Sequence, residues 1–127
     1  MKEMKRKRNS VSYYMDKTKA EIKDAERMVE KQRELKSLFY KEYKEMETYV
    51  EKRRRQVEIA EEAGETKLAE FAEKEVDQYE AQLETTKGHY DQAAARLEEL
   101  ELQMHEMRLK WKNLKTQHLA EMAEKKC

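Results

Sequence analysis

Residues 60–69 read AEEAGETKLA and contain Gly64, one of two glycines in a chain of 127 residues that has no proline. On both sides of this glycine the apolar residues step by alternating threes and fours. Before it the series is Val11, Met15, Thr18, Ile22, Ala25, Val29, then Phe39, Tyr43, Met46, Val50, Val57 and Ala60. After it come Ala69, Ala72, Val76, Tyr79, Leu83, Thr86, Tyr90, Ala93, Leu97, Leu100, Met104, Met107, Trp111 and Leu114. A mean step of about 3.5 residues keeps one stripe on one face of a gently supercoiled helix. Neither helix is stable in water with such a stripe exposed, so each needs a partner. A short break between two helices of about 50–60 residues makes the other half of the same chain that partner.

The expected fold is therefore all-α: a long antiparallel two-helix coiled-coil hairpin with its turn near residues 62–66. Arm one spans 11–62, arm two 66–126, and a basic N-terminal segment, 1–10, precedes them. The competing architecture is a parallel dimer of unbroken helices running through Gly64. In the hairpin, Ala63, Gly64, Glu65 and Thr66 form the turn. Gly64 takes the left-handed conformation that ends a helix, and Thr66 caps the next one. Counted outward from the turn, Ala60 faces Ala69, Val50 faces Tyr79, Phe39 faces Tyr90, Val29 faces Leu100 and Thr18 faces Trp111. Three seam positions are polar: Gln32, Lys36 and Arg53. Their stems are expected to lie on the seam with the polar heads in water. Met28, Leu35 and Leu38 flank the seam and are expected to widen it, and Gly88 reads as a tolerated weak point inside arm two.

Composition agrees with this reading. Charged residues make up 44% and hydrophobic ones 38%, too few for a deep globular core and enough for a narrow seam. Disorder is the rival for such a composition, but the 28 basic and 28 acidic residues cancel and the apolar spacing is regular. No stretch approaches the roughly 20 apolar residues that span a bilayer. Together with a single cysteine, Cys127, this predicts a cytoplasmic protein. Charge is unevenly placed. Residues 65–106 hold four basic and twelve acidic side chains, and residues 107–127 hold six and two. With Lys5, Arg6, Lys7 and Arg8 at the start, the open end of a hairpin is electropositive and suited to an anionic surface.

Chemistry-bearing patterns are sparse. His89, His105 and His118 have no helical metal-site spacing, with His89 and His105 off the seam and His118 on or beside it. There is no glycine-rich phosphate loop and no nucleophile elbow. No cofactor is expected, and the chain does not read as an enzyme. The runs KRKR at residues 5–8 and RRR at 53–55 raise the question of nucleic acid. The second is bracketed by Glu51 and Glu58, and both read better as solvated helix faces than as phosphate grips.

The stretch from Val57 to Val76, VEIAEEAGETKLAEFAEKEV, resembles the hairpin tip of the phage-shock protein A family, whose members include the vesicle-inducing proteins of plastids. Ala63, Gly64, Glu65, Leu68, Ala69 and Ala72 carry the likeness. Upstream, YYMDKTKAEIKDAERMVEKQ is similar to the family's opening of the first arm, and AAARLEELELQMHEM to its second. The resemblance implies a non-enzymatic scaffold of the bacterial envelope-stress response within the ESCRT-III-like superfamily. It would self-associate, pair with full-length relatives, hold a transcriptional regulator or bind an anionic membrane, peripheral on the inner face of the plasma membrane. In that family an amphipathic helix precedes the first arm and further helices follow the second. Here residues 1–10 are basic and not amphipathic, and the sequence stops at Cys127. A short form covering the hairpin arms is the expectation.

Overall fold

A computed structural model describes residues 10–125 and shows an all-α helical hairpin. Helix α1 spans Val11–Glu62 and α2 spans Thr66–Lys125. The start of α1 is set by Ser10, whose Oγ accepts a hydrogen bond from the Tyr13 backbone N–H at 3.2 Å. A serine directly before the apolar series is the usual helix N-cap. This cap was present in the sequence but masked there by the basic residues preceding it. Absence of proline and of a β-branched run leaves nothing to interrupt either helix.

Gly64 ends α1 with φ at +73°. Its N–H bonds to the Glu61 carbonyl at 3.1 Å, and the Glu65 N–H reaches the Ala60 carbonyl at 2.9 Å. These two bonds form a Schellman motif, which satisfies carbonyls that the helix end would otherwise leave open. The capping position of α2 falls on Glu65 rather than Thr66. Glu65 already accepts the first helical bond through its carbonyl, from Ala69 N–H at 2.9 Å, and Thr66 lies inside the first turn. The charge of Glu65 stands at that helix N-terminus, where the dipole favours an anion.

By contact density the chain divides into two units: Met1–Lys31 with Leu97–Cys127, and Gln32–Arg96. In the first unit Val29, Leu97 and Leu100 form a buried cluster with Met104 packed against it, and Thr18 and Ala25 are also buried. Burying each large side chain contributes on the order of 1.5–3 kcal/mol. In the second unit the buried residues are smaller: Val50, Ala60, Ala69, Ala72, Thr86 and Ala93. Every buried residue in both units occupies a position of the 3.5-residue series. The larger members Ile22, Phe39, Tyr43, Met46, Val57, Val76, Tyr79, Leu83, Tyr90, Met107 and Trp111 are half-buried, because a two-helix seam covers a long side chain on one side only.

Two details differ from the spacing-based reading. Met28, Leu35 and Leu38 do not widen the seam and stay exposed, at 48%, 45% and 56%. Gln32 does not hold its head in water: its Nε2 donates to the Ala93 carbonyl at 3.2 Å. A seam amide can reach the opposite backbone because Ala93 has too small a side chain to shield its own carbonyl.

Candidate interaction surface

The second unit contains the turn, and its two flanks differ. In both helices the residue just before a seam position points to one flank and the residue just after it to the other. On the preceding flank lie Leu35, Leu38, Glu42, Glu45, Tyr49, Lys52, Gln56 and Ile59 of α1, with Leu68 and Phe71 of α2. Ile59, Leu68 and Phe71 are 64%, 54% and 62% exposed. They rim a groove of about 370 Å³ beside the turn, whose lining also includes Arg53, Gln56 and Glu75. Along α2 this flank continues through Gln78, Gln82, Thr85 and Gln92. The following flank of α2 carries Glu70, Glu73, Asp77, Glu80, Glu84 and Asp91. The groove on that side is lined by Arg54, Val57, Glu58, Glu73, Val76 and Asp77. One side of the tip is thus apolar and amide-rich, and the other is charged and mostly acidic.

Cross-helix ion pairs tie the arms together. Arg54 bonds Glu80 on the charged flank, and Arg53 Nε lies 2.8 Å from Glu75 Oε2. That Glu75 oxygen is buried without a hydrogen bond, so the charges touch although the N–H is not aimed along the contact. The guanidinium of Arg53 also sits 5.7 Å from the Tyr79 ring centroid. Arg53 and Arg54 of the arginine run are thus answered from the opposite arm, by Glu75 and Glu80. Charge spacing along one helix does not reveal partners on the other.

Aromatic contacts place the arms one residue to either side of the expected pairing. Phe39 stacks on His89 at 5.6 Å, while Tyr90 meets Tyr40 at 5.7 Å. Tyr49 packs near Tyr79 at 5.9 Å. Long rings lean along their helices, so the partner is set by side-chain reach as much as by seam position. His89 is accordingly not a bystander: it is exposed, yet its ring covers Phe39. His105 is exposed and His118 half-buried. The Lys44 ammonium is held above its ordinary range, first by its hydrogen bond to Glu47, then by the charge of Glu47 and by Tyr40 and Tyr43.

In the first unit, Arg108 and Glu26 pair across the arms at 3.3 Å. A smaller groove of about 210 Å³ is lined in part by Ala25, Met28, Leu100 and Met107. Trp111 has the Lys115 ammonium 5.5 Å from its ring centroid. Among the described residues no group of three or more His, Cys, Asp or Glu side chains could hold a metal ion. No helix among them is long and apolar enough to cross a membrane. The turn residues Ala63, Gly64, Glu65 and Thr66 are all exposed. Lys5, Arg6, Lys7, Arg8 and Cys127 lie outside the described residues.

The fold defines a class, the two-helix antiparallel hairpins. Comparison with known proteins adds no narrower identity: no family model, no curated protein and no solved structure matches the chain.

Proposed function

We propose that this chain is a non-enzymatic coiled-coil scaffold that acts through self-association and through docking to partner proteins or a membrane surface. The observation that carries the reading is apolar surface left over after the seam is complete. Both units bury or half-bury their seam residues, yet Ile59, Leu68 and Phe71 remain more than half exposed in one patch. Apolar side chains gathered in this way mark a surface that another molecule covers. The resemblance to the phage-shock protein A family supports the same role. It suggests as partners further copies, full-length relatives, a transcriptional regulator, or the anionic inner face of the plasma membrane reached from the cytoplasm.

Sedimentation of the full chain over a wide concentration range, paired with vesicle co-sedimentation, tests this. Assembly with rising concentration is expected, and vesicle binding that needs anionic lipid and weakens with salt. Assembly without any lipid dependence favours the narrower reading of a coiled-coil structural or adaptor protein with no membrane role. A strict monomer indifferent to vesicles and to family members at every salt concentration would overturn the proposal.

A further inference from the structure

We infer that the apolar flank of the tip is the surface through which two copies of this chain pair, each applying the flank to the other about a two-fold axis. The inference rests on the self-association proposed above and assigns it a face.

Two observations select a second copy as the occupant. The first is charge. A two-fold contact puts each patch against itself, which costs repulsion wherever a face carries one sign. The acidic flank, with Glu70, Glu73, Asp77 and Glu80 in succession, is unsuited to this. The apolar flank is not a single-sign face: between its hydrophobic residues it carries Glu42 and Glu45 with Lys52, together with the amides Gln56, Gln78 and Gln82.

The second is area. Leu35, Leu38, Tyr49, Ile59, Leu68 and Phe71 are between 45% and 64% exposed. At ~200 Å² for a fully exposed large side chain these six offer roughly 650 Å² per copy, near the ~800 Å² per partner of a standard stable interface. The exposed polar residues between them, Gln56 and Gln78 included, add to this area.

Of the other occupants, a basic partner helix would be drawn to the acidic flank instead.

The test is sedimentation equilibrium under reducing conditions on the full chain, on Phe71→Glu and Ile59→Glu, and on Asp77→Lys as the opposite-flank control. Far-ultraviolet circular dichroism checks that each variant keeps its helices, which is expected because all three positions are exposed. Either apolar-flank variant should raise the dimer dissociation constant by ~30-fold or more, the effect of losing an interface hot spot. Asp77→Lys should leave it within a few-fold. In a Cys127→Ser background, Gln78→Cys should form a disulfide between copies and Asp77→Cys should not.

Dimerisation unchanged in Phe71→Glu, or cross-linking through position 77, would sink this face while leaving self-association intact. A monomeric wild type that still binds anionic vesicles would overturn the pairing and leave the scaffold reading standing.

Discussion

The two units close the same hairpin with different side chains. Around Val29, Leu97 and Leu100 the seam is built from large aliphatic groups. Beside the turn it is built from Ala60, Ala69 and Ala72. Distance along the chain explains the contrast. Bringing Val29 against Leu97 without the turn in place closes a loop several times longer than the one around Gly64, an extra entropic cost on the order of 2 kcal/mol. Large buried side chains offset that cost far from the turn. Near it, the Schellman motif already directs the chain back, and small residues suffice. Both units carry exposed large apolar side chains, but beside the alanine-built seam Ile59, Leu68 and Phe71 gather in one groove.

Substitutions can break this contrast, and the largest effect is expected in the aliphatic unit. Leu97→Ala should cost about 2–3 kcal/mol in chemical denaturation at fixed protein concentration, the low end for such truncations because solvent can enter a two-helix seam. Hydrogen exchange should quicken around residue 97 and much less near the turn, since local openings differ in free energy along a structure. Enlarging the tip seam tests the other side. Ala72→Leu should destabilise by roughly 1–3 kcal/mol through overpacking, measured in the same way. A gain in stability there would show that the alanines are filler and not a close-packing requirement.

The two glycines sharpen the comparison within the tip unit, since one substitution should have opposite signs at the two sites. At Gly64, with φ at +73°, alanine meets no neighbouring atom and yet must adopt a left-handed backbone. A loss of roughly 1–2 kcal/mol in thermal melts is expected. At Gly88, inside α2 and equally uncrowded, alanine should add roughly 0.5–1 kcal/mol. The smallest effect belongs to the exposed Arg108–Glu26 pair, about half exposed on both sides. Arg108→Ala should change stability by less than about 0.5 kcal/mol, and the change should vanish at high salt.

Much of this architecture is legible in the linear sequence. The 3.5-residue series from Val11 to Ala60 and from Ala69 onward marks the face that each helix buries, and Gly64 marks where the chain turns. Even the polar interruptions at Gln32, Lys36 and Arg53 keep the phase, and each is half-buried on the seam. Less legible is what surrounds the seam. Met28, Leu35 and Leu38 look like core by composition and are surface by position, because they precede the seam residues rather than occupy them. Nor does spacing reveal that Leu68 and Phe71, on one arm, share a groove with Ile59 on the other. His89 covering Phe39, and Glu75 and Glu80 answering the arginines at 53 and 54, are likewise invisible to it.

The division has a physical cause. Helix formation, phase and termination depend on local interactions, so periodicity, the absence of proline and one left-handed glycine determine two helices and a turn. Which flank residues become neighbours depends on how the two helices face each other once the seam is closed. Pairing joins the preceding flanks of both arms on one side and the following flanks on the other. Only the tertiary structure could gather scattered isoleucine, leucine and phenylalanine into an apolar groove and leave an acidic row behind it.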